Sequence, residues 1–134
     1  MKARRYSPAD FDQISQWAKD GYETSYEADQ FPEIGFIVDG YAAYFLYQTD
    51  SKICFCENLI SNRFADEFGR RKAVTLVIDA VLAEAQRLGF KIAYATTGNS
   101  SVILRAVQLG AIAVPRQSLL IKTLATPNDG SATA

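Results

Sequence analysis

Histidine is missing from this chain altogether. That excludes histidine-based triads, histidine-ligated zinc and the usual neutral-pH proton shuttle. Any acid–base chemistry falls to carboxylates, tyrosines, lysines, backbone or water. Cysteine is nearly as scarce. Cys54 and Cys56 alternate within a strand-like run, so their side chains share a direction and close no useful loop. Metal-site spacing is absent too, and both read as small apolar packing residues. Neither sign of charge is in excess: 14 Lys and Arg stand against 15 Asp and Glu, a net charge of −1. No whole-protein field therefore draws the chain to nucleic acid or to a membrane. No apolar run approaches membrane-spanning length. No apolar signal region follows Met1-Lys2-Ala3-Arg4-Arg5-Tyr6, which leaves the cytoplasm as the default location.

What is present is an ordinary globular balance, with 49% hydrophobic and 22% charged residues over 134 positions. That length carries one domain with a real core, placed here at residues 1–124. Residues 125–134 are small and polar and read as a disordered tail.

Residues 3–6 read as a short first strand. Ser7-Pro8-Ala9-Asp10 is a good helix start, with an N-cap serine, proline at the first position and an acid at the third. Phe11, Ile14, Trp17 and Ala18 follow at helical spacing, and Asp20-Gly21 is the expected stop. Residues 22–33 interleave Tyr22, Tyr26 and Phe31 with Glu23, Glu27, Asp29 and Glu33, either as a short second helix or as a loop. Residues 34–38 and 41–48 read as a hairpin around Asp39-Gly40, and residues 53–60 as a third strand in an antiparallel run. Tyr41, Tyr44 and Tyr47 on this meander read as packing residues.

The second half changes period. Val74, Val77, Ile78, Val81, Leu82, Ala85 and Leu88 form a three-and-four helical stripe that ends at Leu88-Gly89. Residues 91–97 read as a buried strand. Gly98-Asn99-Ser100-Ser101 caps a further helix that ends at Gly110. Residues 111–114 and 118–124 are the last expected strands. The simplest packing is an α/β (α+β) domain, with one mixed sheet flanked by helices on both faces.

The feature that stands out is Gly69-Arg70-Arg71-Lys72-Ala73. If the helix begins at Gly69, three cations crowd the positive end of its dipole, and an anion such as phosphate resolves the conflict. If it begins near Ala65, Asp66 and Glu67 fill the first turn and no conflict exists. Gly69 inside a helix costs about 1 kcal/mol, which argues for the break. The plain alternative is a basic helix face in water.

This order of elements, with Arg87-Leu88-Gly89-Phe90, Thr97-Gly98-Asn99 and Gln108-Leu109-Gly110-Ala111 in place, resembles the GCN5-related N-acetyltransferase family over residues 3–124. It also resembles the short divergent members found in tailed phages. The resemblance implies a mostly antiparallel twisted sheet that binds acetyl-CoA in a split between its fourth and fifth strands, here residues 53–60 and 91–97. It implies acetyl transfer to a small-molecule or protein amine. Glu57 takes the role of base. Leu59 and Ser61 offer backbone groups to the pantetheine arm, and Asn99 contacts the same arm. Gly69, Arg70, Arg71, Lys72 and Ala73 lie where the family holds the pyrophosphate. Tyr22, Glu23, Tyr26 and Glu27 fall in the acceptor-binding loop.

Two departures qualify this. The family pattern at the pyrophosphate is Gln or Arg, two residues, Gly, one residue, then Gly or Ala. Here side-chain cations stand where small residues open the backbone to phosphate. Either they replace those contacts or the cofactor site has decayed. The family also often carries a tyrosine four residues before the glycine ending its last helix, and here that position is Ala106. A non-catalytic descendant that binds a host or phage protein is therefore the second reading. Nucleic-acid binding through one short cluster is a distant third.

Overall fold

The computed structural model describes residues 1–125, so the expected tail lies outside the described residues from 126 onward. The chain falls into two compact units, one of Met1–Thr97 and one beginning at Gly98.

In the first unit, strands β1 (Arg4–Arg5), β2 (Ile34–Val38), β3 (Ala42–Tyr47), β4 (Ile53–Ser61) and β5 (Ile92–Ala95) form one sheet in the order β1-β2-β3-β4-β5. Neighbours from β1 to β4 run antiparallel, and β4 pairs with β5 in parallel. The sheet is thus mixed and mostly antiparallel, in the α/β class expected. Helices α1 (Phe11–Tyr22) and α2 (Glu67–Arg87) cover it. Side chains alternate across a strand. Ile37, Ala43, Phe45 and Ile60 cluster on one face with Ile14, Trp17 and Ala18 of α1 and with Tyr6 and Phe31. The alternate residues Val38, Ala42 and Leu46 are buried as well. They face the other side, where α2 packs with Ala73, Val77, Ile78, Val81 and Ala85.

The helix boundaries differ from the sequence expectation in ways the caps explain. The Ser7-Pro8 start first makes a single 3-10 turn at Pro8–Asp10, and the Asp10 carboxylate accepts the Ser7 N–H at 2.9 Å. Arg4 reaches from β1 to Asp10 and to Asp39 of the β2–β3 turn, at 2.6 and 2.7 Å, and ties the three together. Helix α1 runs past Asp20-Gly21 to Tyr22 and stops where Glu23 turns left-handed. Residues 23–33 hold one 3-10 turn, Ala28–Gln30, and no second helix. Helix α2 begins at Glu67, not at Gly69. It ends where Gly89 adopts positive φ and lets the Phe90 N–H reach the Ala85 carbonyl. The buried Cys54 and Cys56 are free thiols, as packing residues should be.

In the second unit, α3 (Ser100–Gln108) is capped by Asn99, whose carbonyl oxygen accepts the Ser101 and Val102 N–H groups. The strands expected at 111–114 and 118–124 do not form: residues 111–125 contain no regular element. Apolar alternation specifies a face, but a strand also needs a partner for its N–H and C=O groups, and sequence does not supply one.

Candidate functional site where β4 leaves β5

Strand β4 has two partners over part of its length. Ile53–Cys56 pair with β5, and Phe55 and Cys56 pair with β3 as well. From Glu57 on, only β3 remains in register, and the β3–β4 ladder itself slips between Ala43 and Phe45. Asn58 takes up the slip with φ of +60°, a left-handed conformation that asparagine tolerates better than most residues. Glu57, Asn58, Leu59 and Ser61 are half-buried along this opened stretch.

Glu57 sits at the point of divergence. Its Oε1 accepts the Thr96 N–H at 2.7 Å and the Thr96 hydroxyl at 3.0 Å, so the carboxylate spans the gap just beyond the last β4–β5 pair. Burial pushes its carboxyl above the usual carboxylate range, and the two Thr96 hydrogen bonds only partly offset that. A carboxyl raised this way is a stronger base than an exposed one, which suits a group that takes a proton.

The expected acceptor residues lie close by. The Tyr22 hydroxyl is 3.2 Å from Ser61 Oγ and accepts the Ser61 N–H at 3.3 Å. The Tyr26 hydroxyl donates to Asn58 Oδ1 at 3.1 Å. Glu23 is the left-handed residue after α1, and Glu27 precedes the 3-10 turn. Both are exposed. A cavity of about 350 Å³ opens among Tyr6, Phe11, Phe31 and Pro32, with Asp29 and Glu33 also lining it. Aromatic walls and carboxylates together suit a cation with an apolar body.

The cationic cluster is arranged differently from the rest. With α2 starting at Glu67, Arg70, Arg71 and Lys72 fall just past the first turn, about 100° apart around the axis. They therefore do not converge on one point. Arg70 donates to the Arg63 carbonyl at 3.0 Å, and Arg71 pairs with Glu67 at 2.6 Å. Ala73 is fully buried in the core stripe of α2. The helix end already holds an anion. Asp66 caps it, accepting the Gly69 N–H at 2.7 Å and the Tyr41 hydroxyl at 3.1 Å. These bonds hold its carboxyl below the usual range. A Cβ on Gly69 would fall 2.5 Å from the Tyr41 ring, which is why glycine stands inside this helix.

The fit to a CoA-type ligand is therefore divided. The opened stretch of β4 suits an extended amide chain laid along it. The α2 N-terminus does not suit a diphosphate held by bare backbone, because Asp66 has taken the Gly69 N–H. The groups there that carry the charge a phosphate needs are the side chains of Arg70, Arg71 and Lys72. Asn99 lies in the second unit and serves as the α3 cap described above.

The sequence reading missed Asn58, Thr96 and the bonding roles of Tyr41 and Tyr47. An asparagine inside Cys54-Phe55-Cys56-Glu57-Asn58-Leu59-Ile60 was the available signal, since asparagine is depleted in regular strands and frequent at left-handed positions. Asp66, three residues before Gly69, carried the spacing of an N-cap. Among the described residues no cluster of cysteine and carboxylate groups is placed to hold a metal, and no helix is long and apolar enough to cross a membrane.

No protein-family model matches the chain, and no curated protein matches it in sequence. Solved structures do match. The fold is that of the GCN5-related N-acetyltransferases. One is a Mycobacterium tuberculosis protein in complex with CoA, with TM-score 0.67 and 13% identity over 80% of this chain and 70% of that one. Another is an aminoglycoside acetyltransferase from an uncultured soil metagenomic sample in complex with sisomicin, with TM-score 0.64 and 13% identity over 92% and 96%. A third is the ribosomal-protein-S18-alanine N-acetyltransferase of Escherichia coli, with TM-score 0.64 and 12% identity over 81% and 76%. At these identities the likeness is one of fold.

Proposed function

We propose that this protein is an acetyl-CoA-dependent N-acetyltransferase acting on a small-molecule or protein amine in the cytoplasm. The observation that carries the reading is Glu57: a half-buried carboxylate with a raised pKa, placed where β4 and β5 part. When bound, acetyl-CoA supplies the acetyl thioester, and the acceptor C–N bond forms as the C–S bond breaks. Glu57, directly or through water, takes the proton the amine gives up. Leu59 and Ser61 lie on the opened stretch along which the pantetheine arm would run. Ser61 becomes available there once Tyr22 releases its N–H. Arg70, Arg71 and Lys72 would hold phosphates through side chains, beside the small residues Gly69 and Ala73. Tyr22, Glu23, Tyr26 and Glu27, with Asp29 and Glu33, give the acceptor side the acids and rings that suit a cationic amine. Water protonates the departing thiolate.

Calorimetric titration with acetyl-CoA tests this. Heat is expected for the native protein, and weaker binding after Arg70, Arg71 and Lys72 are all changed to Ala. No heat at millimolar acetyl-CoA would sink the enzyme reading. Binding that survives the triple change would move the phosphates elsewhere and leave the enzyme reading standing.

The Asp66 carboxylate at the α2 N-terminus favours a second reading. A chain that fills its own anion site fits a non-catalytic descendant that binds a host or phage protein. The same titration separates the two.

A further inference from the structure

Three side chains make a directional hydrogen-bond relay beside the candidate base. The Tyr26 hydroxyl donates to Asn58 Oδ1 at 3.1 Å. Asn58 Nδ2 donates to the Tyr47 hydroxyl oxygen. The Tyr47 hydroxyl donates to the Gln30 carbonyl at 3.1 Å. Each hydroxyl and the amide use a donor and are matched to an acceptor. The relay begins and ends on one segment, because Tyr26 and Gln30 both belong to residues 22–33. That segment is thus held at two points, against β3 through Tyr47 and against β4 through Asn58. Tyr26 also packs on Phe31, with ring centroids 5.0 Å apart, so the clasp has an apolar backing.

The position of the clasp gives it meaning. Asn58 is the left-handed residue of the β4 irregularity and the direct chain neighbour of Glu57. A backbone conformation of this kind persists where its surroundings hold it. Here the surroundings are two tyrosines and the segment expected to receive the acceptor. Asn58 therefore does two things that glycine could only half replace: its backbone accepts the left-handed turn, and its side chain fastens the segment.

We propose that Asn58 is a positioning residue that fastens residues 22–33 to the β4 irregularity, so that the acceptor segment and Glu57 are ordered together. The inference rests on the acetyltransferase reading for its consequence and on the free protein for its test. Hydrogen exchange is measured on the native protein and on Asn58→Gly, Asn58→Ala and Tyr26→Phe. Glycine keeps the left-handed backbone and removes the clasp. The phenylalanine removes one hydroxyl and leaves β4 untouched, so it serves if the Asn58 variants fold poorly.

Amides of residues 22–33 are expected to exchange roughly five- to tenfold faster in Asn58→Gly and Tyr26→Phe, as the loss of one or two hydrogen bonds allows. The decisive amide is that of Thr96, which bonds to Glu57 and touches no member of the clasp. It is expected to speed up as well. A loosened segment with an unchanged Thr96 amide overturns the coupling, and a native pattern in Asn58→Gly overturns the clasp. With sisomicin as acceptor probe, the same variants should raise its KM several-fold and leave the acetyl-CoA Kd unchanged. An unchanged sisomicin KM overturns the positioning role. Should the native protein neither bind acetyl-CoA nor turn over sisomicin, the acetyltransferase reading falls, and the Thr96 amide alone still decides the coupling.

Discussion

The two halves of β4 are built from the same strand and behave as different materials. Ile53–Cys56 are paired with β5, Phe55 and Cys56 with β3 as well, and the thiols of Cys54 and Cys56 are buried. Burial first of all, with Cys54 and Glu57 adding to it, pushes the Cys56 thiol up to about 12. Glu57–Ser61 have β3 alone as ladder partner, a left-handed residue, and polar groups bonded to side chains outside the sheet ladder, as Asn58 is to Tyr26 and Ser61 to Tyr22. The difference lies in the number of neighbours. Where β5 is present, the backbone is paired and the two thiols are buried, although Phe55 is exposed and β5 itself is exposed, not the buried strand expected from the sequence. Where it stops, unpaired backbone and half-buried polar groups collect, and chemistry becomes available.

Four changes would break or sharpen that contrast. The largest effect is expected from Glu57→Gln, which leaves the strand in place and removes the base. Under the acetyltransferase reading kcat/KM falls by about 10²–10⁴-fold, and the native rise of rate with pH through the raised carboxyl pKa flattens. Its stability effect has a defined sign. A carboxyl raised in the folded state binds its proton more readily folded than unfolded. The stability it lends is therefore complete below the ordinary glutamate pKa and is lost as pH rises through the raised value. Urea melts of Glu57→Gln should lack that slope, and a variant with the native slope would remove Glu57 from the argument.

Phe45→Ala should come next. Phe45 pairs in register with Glu57, is fully buried, and stacks on Phe31 with centroids 4.5 Å apart. Its truncation should cost about 3–5 kcal/mol by denaturant melting, and the two halves of β4 should then lose their distinction in hydrogen exchange. Cys56→Ser is a smaller blow to the half paired with β5. A hydroxyl in that dry setting should cost about 1–3 kcal/mol with little change in kcat/KM, the reverse of the Glu57 phenotype one residue away. The smallest stability change belongs to Asp66→Asn, which keeps a capping oxygen and should shift stability by no more than about 1 kcal/mol. It should nonetheless tighten acetyl-CoA binding by calorimetry, because it removes the resident negative charge. Weaker binding would show that Asp66 assists the ligand.

Much of this architecture was legible in the sequence. The stripe Val77, Ile78, Val81, Ala85 gave the buried face of α2, and Asp39-Gly40 gave the β2–β3 turn, because both are local patterns. Of the two starts the sequence left open for α2, the one with Asp66 and Glu67 at its head is observed; the Gly69 penalty that argued for the other was weighed without the Tyr41 ring that needs the space. Glu57 was placed on the right strand by family resemblance. Its partner Thr96 and the Asn58 clasp depend on where β5 stops and on contacts spanning more than thirty positions in the chain, as from Tyr26 to Asn58. Strands at 111–114 and 118–124 were expected from composition alone, which fixes no pairing.

The contact between Gly69 and Tyr41 also limits how this chain can diverge. A Cβ at position 69 would meet the Tyr41 ring at 2.5 Å and the Asp66 carboxylate at 2.9 Å. No single substitution at 69 is free while those two remain, and Asp66 can give way only to another capping residue without uncapping α2. The three positions are therefore tied together: any side chain larger than glycine at 69 requires the Tyr41 ring or the Asp66 carboxylate to give way first, at a cost to the start of α2.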